Sequence, residues 1–456
     1  MNNDEVNDTM WTGSKDLLGS GKPLERYRFP SDPRQIGGAY TVEENARLLQ
    51  RYFYFERLLT RALAGWSMGT PEFEVKIEYG RHMYYHVEAA DAIRTRVTEL
   101  RISREAIDEY RDDEIESFFT ELLYAESPAH FLAGTYGVLL PQLMTAYQTH
   151  LVSTDQVADA PTVRVLKRIL GDYTEMYLWG QAALQAYIDG GYDGANIVFS
   201  QLHVEQTLAS IGGITGVADR GDRPSTLRSE GKDLFERSFV ATRDPRFTTF
   251  EHTYEYRKAD EGKLEYESEY DETQLDLIRS QRDELDAIET FCNVLYEIHN
   301  VPFDFDYDIA RIVYDEVRHT ELGHKALEKL GHDPYDLANR LLGIKVRTKL
   351  PPEYSLAEIN LFGEANIVQE VARQSKAGYK RGDISGMLFD YVNADERTHI
   401  QKGTRWLKHL FKTDSITEIE AKTKEVAVNR LLELGIIDHE VALTITHKEL
   451  AKIIGE

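Results

Sequence analysis

Apolar positions set the first picture of this chain. From Val42 onward, Ala46, Leu49, Tyr52 with Phe53, then Glu56, Leu59, Leu63 and Trp66 recur three to four residues apart, the period of a helix with one buried face. Segments of similar quality continue to about residue 211. The period then stops in a Gly/Asp/Pro loop, GGITGVADRGDRP, and residues 246–270 alternate aromatic and β-branched positions around a turn at Ala259 to Lys263. That alternation predicts a β-hairpin. Helical period returns over 273–298, 305–331, 355–381 and 384–411, with short loops inside each pair and one long connection between the pairs. Four such helices predict a bundle with a single long crossover.

The fold class expected is therefore all-α, in five stretches. Residues 1–40 are rich in Gly, Pro, Asn, Asp and Ser and predict an extended arm. Residues 41–212 form a first helical bundle, 213–272 a loop and hairpin linker, 273–411 the four-helix bundle, and 412–456 a helical tail with a surface-like charge pattern. Residues 127–154 contain no Asp, Glu, Lys or Arg, but His130, Pro141, Gln142, Gln148 and His150 interrupt them. A helix buried on all sides is expected there, not a membrane span.

Composition narrows the chemistry. The 53 Lys+Arg against 78 Asp+Glu leave a formal charge of −25, the wrong sign for a nucleic-acid backbone reader. A single cysteine, Cys292, excludes an internal disulfide framework and cysteine-ligated zinc or iron–sulfur sites. The first residues carry no cationic stretch followed by an apolar one, so no Sec signal is expected and a reducing cytoplasm is the expected location.

Two helices of the second half carry the same local word: YDEVRH with Asp315, Glu316 and His319, and ADERTH with Asp395, Glu396 and His399. Residues three apart on a helix share a face, so one carboxylate and one imidazole can serve one ion. Spacing alone is weak, because a third pair, Glu321 and His324, also occurs and falls off the apolar stripe. In the other two the pair interrupts the stripe: Ile309, Val313, Glu316, His319, Gly323, Ala326 on one helix, and Leu388, Val392, Glu396, His399, Gly403, Trp406 on the other. The remaining helices each set a Glu among apolar positions. Glu289 lies with Leu285, Ile288, Cys292 and Leu295, and Glu364 with Leu361, Ala365, Val368 and Val371; Glu284 competes with Glu289, and Glu370 with Glu364. Burying four Glu and two His uncompensated costs several kcal/mol per charge. Two divalent cations would cancel the four carboxylates.

One Glu from each of two helices plus Glu-x-x-His from each of the other two resembles the ferritin-like superfamily of di-iron and di-manganese carboxylate proteins, over roughly residues 273–411. That resemblance implies two Fe ions, or Mn or a mixed Fe/Mn pair, held by Glu289, Glu316, His319, Glu364, Glu396 and His399. It implies Asp315 and Asp395 as the acids that fix the ligand imidazoles in one tautomer. It further implies O2 and a small organic substrate as reactants, with monooxygenase or oxidase chemistry. Electrons must come from an external donor, since no Gly-x-Gly-x-x-Gly follows a predicted strand. Phe291, Tyr314, Phe362 and Tyr391 are candidate pocket walls. Ferroxidase, iron-handling or peroxide-reducing activity is the alternative, and a non-catalytic helical scaffold the second. The chain leaves oligomeric state open, a homo-oligomer included.

The first half overlays weakly on the second. Glu56 falls against Glu289, Tyr79 and His82 against Glu316 and His319, Tyr136 against Glu364, and Tyr173 and Met176 against Glu396 and His399. On that overlay the first half is a degenerate ferritin-like copy, and the pairing resembles the two-subunit cores of bacterial multicomponent monooxygenases. Glu78, His82 and His86 form either a separate site or a set of buried structural side chains.

Overall fold

A computed structural model describes residues 32–34, 36–250, 262–263 and 269–455. The chain is predominantly helical. Helices α1 (Val42–Ser67), α2 (Phe73–Glu99), α3 (Arg104–Asp108) and α4 (Asp113–Leu123) are followed by α5 (Pro128–Gly134). A π-helical turn, Thr135–Leu139, then joins α5 to α6 (Leu140–Ser153), and α7 (Ala160–Asp189) and α8 (Gly194–Ser210) complete the first half. In the second half come α9 (Glu269–Arg282), α10 (Leu285–Glu297), α11 (Phe303–Lys329), α12 (Leu342–Arg347) and α13 (Pro352–Glu358). A second π-helical turn, Ile359–Glu364, leads into α14 (Ala365–Arg381), α15 (Ile384–Phe411), α16 (Ile416–Glu433), α17 (His439–Thr444) and α18 (His447–Gly455). Among the described residues no helix is long and apolar enough to cross a membrane. Phe131, Leu132, Leu139 and Leu143 of the uncharged segment are buried, but Gln142, Thr145, Gln148 and Val152 are exposed, so α6 is not buried on all sides as expected.

Most of the arm, residues 1–31, and nearly all of the expected hairpin lie outside the described residues. The described end of the arm rests on the α6–α7 turn, where Gly37 N donates to Asp155 Oδ2 at 2.7 Å and Ala39 N to Ser153 O at 2.7 Å. A short strand, β1 (Thr249–Phe250), pairs in parallel with β2 (Asn339–Arg340) of the long crossover.

One hydrophobic core runs through both halves, from Ala46 to Ile419. Its centre is where α1 and α2 meet α10 and α11. Ion pairs cross that interface where backbone groups need partners: Arg57 Nε meets Asp306 Oδ2 at 2.6 Å, and Arg61 donates to the carbonyls of Leu295 and Ile298 at the end of α10. Tyr84 of α2 stacks on Tyr314 of α11 with centroids 4.8 Å apart.

Local sequence accounts for the helix ends that matter. Thr41 and Glu44 form a reciprocal capping box at the start of α1, which satisfies two otherwise unpaired amides. Gly382, at φ +75°, closes α14, and the Asp383 side chain caps α15 by accepting from Ser385 N. A left-handed residue is cheap only for glycine, and this tight turn sets α14 and α15 antiparallel. The two π turns fall at matching places. Each follows a seven-residue helix that opens on proline, Pro128 or Pro352. These bounds set Tyr136 against Asn360 and Leu140 against Glu364, so the overlay of Tyr136 on Glu364 is one helical turn out of register. Glycines agree: a Cβ at Gly180 would strike Tyr136, and one at Gly403 would strike Asn360.

Gly323 lets α11 approach α9, because a Cβ there would lie 2.7 Å from Ile278 O and 2.8 Å from the Gln281 carbonyl carbon. Backbone cannot step aside as a side-chain tip can. Gly323→Ala is expected to cost about 1–3 kcal/mol, read as a lower urea midpoint. Gly171→Ala, in α7 with nothing within 4 Å, is expected to gain about 0.5–1 kcal/mol.

Candidate metal centre

Glu316, His319, Glu396 and His399 project from the facing stripes of α11 and α15, and Glu364 joins them from the last position of the second π turn. All five are buried, at 7% exposure or less. One ligand atom each from Glu316, Glu364, Glu396 and His399 lies within 4.8 Å of the others. His319 Nδ1 approaches Glu316 Oε2 at 3.3 Å and Glu396 Oε1 at 3.5 Å. His399 Nδ1 lies 3.0 Å from Glu316 Oε1 and 3.5 Å from Glu364 Oε1. The π turn supplies the aim of Glu364: one extra residue in the turn rotates the helix after it, and such bulges recur at functional sites.

Both imidazoles therefore turn Nδ1 inward, and their outer nitrogens are held by aspartates of the opposite helix. His319 Nε2 lies 3.3 Å from Asp395 Oδ2, and His399 Nε2 lies 3.3 Å from Asp315 Oδ2. Arg318 spans the two aspartates. A proton kept on each Nε2 leaves each Nδ1 lone pair for the centre. Asn360, which the sequence reading did not single out, donates to Glu364 Oε2 at 3.1 Å and to the His399 carbonyl at 3.2 Å.

Glu364 Oε1 and Glu396 Oε2 have no hydrogen-bond partner although buried, and His399 Nδ1, 3.0 Å from Glu316 Oε1, makes no well-aligned hydrogen bond. Orphaned buried polar atoms are rare and costly. Here they face one another, and all are donors of an electron pair. This arrangement can hold a metal ion, and its oxygen and nitrogen donors fit the hard to intermediate divalent metals.

Glu289 is placed elsewhere. Its buried carboxylate pairs with Lys76 of α2 and with Arg243. The helix expected over 273–298 is broken at Asp283 and Glu284 between α9 and α10, and α10 packs against α1 and α11. Glu284, at that break, is the carboxyl beside the cluster. Burial raises it well above the usual range, and Glu316 and Glu396 raise it further. Glu370 pairs with Arg373 at the surface. Cys292 is a core residue whose thiol burial pushes up to about 12.

Of the expected pocket walls only Phe362 lines a cavity at the cluster. That cavity, about 600 Å³, is floored by Glu284, Glu316, Glu364 and Glu396. Phe291 is buried in the shared core, Tyr314 sits against Tyr84 in the interface between halves, and Tyr391 is 58% exposed on the outer face of α15. The C-terminal helix α18, which showed no motif, roofs the cavity with Lys448, Ala451 and Lys452, and His447 stacks on Phe362 at 5.3 Å.

The first half holds a different cluster at the corresponding depth. His86 Nδ1 lies 2.6 Å from Glu56 Oε2 and 2.9 Å from the Tyr173 hydroxyl, and Tyr147 donates to Glu56 Oε1. His82 meets Tyr136 at 2.7 Å and Glu78 at 3.3 Å. Burial holds His82 well below an ordinary imidazole. These groups satisfy one another.

Without metal, charge within the centre is balanced by protons. Burial disfavours the charged form of His319, but Glu316 and Asp395 outweigh it and raise the imidazole to about 10. Burial likewise raises Glu364 above the usual carboxylate range against the pull of His399. His319 thus stabilises the metal-free fold fully below the 6.5 of a free imidazole and loses that contribution as pH rises toward 10. Metal-free protein should show a urea midpoint that falls between pH 6.5 and 10, while metal-loaded protein holds its midpoint. A midpoint equally flat in both states would contradict the assignment of His319 to the centre.

The family described as "Protein of unknown function (DUF455)" matches residues 269–432, a span that opens on the first residue of α9 and holds Glu284 and the five clustered ligands. No curated protein and no solved structure matches the chain.

Proposed function

We propose that the protein is a non-haem di-metal oxidoreductase, with two Fe ions or an Fe/Mn pair, that uses O2 on a small organic substrate. In this reading α9 with α10, α11, α13 with α14, and α15 make a ferritin-like four-helix bundle, and the first half is a copy of it without metal. The observation that carries the proposal is the convergence of orphaned donors from Glu364 and Glu396 with His399 beside Glu316, His319 and Glu284. Four carboxylates match the charge of two divalent ions. The position-matched π turns support the duplication, and the self-satisfied Glu56–His86–Tyr173 network accounts for a first half that needs no ion.

When bound, such an ion pair supplies the electrons that reduce O2. The chain's own residues do the rest. Asp315 and Asp395 keep each ligand imidazole in one orientation, and Arg318 keeps both aspartates in place. Burial raises the Glu284 and Glu364 carboxyls above the usual range, so each would release a proton more readily beside a bound cation. The electrons are proposed to reach the site from a separate donor. The cavity favours an organic substrate over iron handling, because a site that only oxidises and passes on iron has no use for about 600 Å³ of space beside its ligands.

Metal analysis of purified protein tests this reading. About two Fe or Mn per chain are expected, falling below half in Glu316→Ala, Glu396→Ala and Glu284→Ala and unchanged in Glu289→Gln. A stable wild type free of metal after growth in iron and manganese would remove the proposal. Exposure of the anaerobic ferrous protein to O2 with candidate organic acids separates the readings. Product formation supports an oxygenase or oxidase, whereas iron turnover without product supports iron handling.

A further inference from the structure

The cavity over the cluster is not neutral in its chemistry. Leu277, Ile359, Phe362 and Ile367 give its lining an apolar part, and the carboxylate cluster lines it too. Five cationic side chains line it: Arg279, Arg340 and Arg347, with Lys448 and Lys452 on the roofing helix. The volume suits a small molecule of drug-like or medium-chain size.

Arg347 is the informative member. Its side chain is 7% exposed, and its Nε is anchored on Glu358 Oε2 at 2.5 Å. Nη1 and Nη2 donate to no protein atom among the described residues, yet they are not sealed off. Gly343 leaves space at one of them, since a Cβ there would lie 3.2 Å from Nη1, and Gly363 lies close to the other, a Cβ there meeting Nη2 at an ordinary 3.7 Å. A guanidinium fixed by its Nε presents two parallel N–H groups, the fork that a carboxylate accepts in a bidentate pair. Gly363 adjoins Glu364, so an anion seated here lies beside the cluster.

We propose that the cavity binds a monoanionic organic carboxylate, with its carboxylate on Arg347 and its apolar body along Ile359, Phe362, Leu277 and Ile367. As a substrate pocket it rests on the di-metal reading, and it names the substrate class: the part of the carbon skeleton nearest the carboxylate is the part presented to the cluster. A dianionic phosphate is disfavoured, because Asp283, Asp286 and Glu370 also line the wall. Lys448 draws the anion to the mouth, an effect screened by salt. An exposed lysine alone would say little. The buried, half-partnered guanidinium gives the cavity its selectivity.

Titration calorimetry with octanoate, octan-1-ol and octyl phosphate tests the proposal on the full chain, with metal content measured on the same samples. Octanoate is expected to bind at least about tenfold more tightly than the alcohol, the scale of one charge-assisted bidentate contact. Arg347→Met combined with Glu358→Gln, which leaves no buried charge alone, should erase that preference and leave octan-1-ol binding unchanged. Lys448→Glu should weaken octanoate about threefold at low salt and less at 0.5 M. Equal binding of acid and alcohol, tighter binding of octyl phosphate, or an unchanged preference in the double variant would each overturn the proposal, as would no binding of octanoate. Selective octanoate binding by a protein that never holds metal would leave the pocket standing and remove the di-metal reading. About two metals per chain with no acid preference would do the reverse.

Discussion

A carboxylate or imidazole taken out of water must find a counter-charge, and this requirement governs the second half of the molecule. Glu316, His319, Glu364, Glu396 and His399 are packed within a helical interior where an uncompensated charge costs several kcal/mol, a large share of a domain's net stability. Hydrogen bonds from the protein meet only part of the need. Asn360 serves Glu364, Asp315 and Asp395 serve the outer nitrogens, and Arg318 serves the aspartates. What is left over points at the centre.

Irregularities in the helices give that centre its shape. A break at Asp283 and Glu284 brings one carboxyl toward the cluster, and a π turn ending at Glu364 brings another. Regular helices would have placed neither as they stand. The rigid frame around them comes from the other half, since α1 and α2 cover α10 and α11 in one shared core. Glu289 belongs to that frame: with Lys76 and Arg243 it forms a buried triad that ties α10 to α2.

The words on α11 and α15 were legible in the sequence because a charged pair inside an otherwise apolar stripe is visible wherever the helix is regular. The bounds of α15, Ile384–Phe411, coincide with the periodic segment. Glu364 was legible only as one of two candidates beside Glu370, because the π turn that ends on it interrupts the helical period. Glu289 misled because every residue from Leu285 to Leu295 is buried, and periodicity cannot tell a face turned to the cluster from one turned to a second bundle. Tyr314 and Tyr391 do not wall the cavity, because one stacks on Tyr84 and the other faces solvent. Nothing in residues 412–456 showed that α18 would return to the cavity, since that contact depends on the crossover helix α12 against which the tail packs. Arg347 was equally hidden: a lone arginine in a connection has no period.

Asp315 and Asp395 carry one more implication. Each belongs to one hexapeptide and serves the histidine of the other, across intervals of 84 and 76 residues. Neither word is complete in itself. A change at either aspartate is felt on the opposite helix, so loss of one carboxylate frees the imidazole of the other hexapeptide to turn.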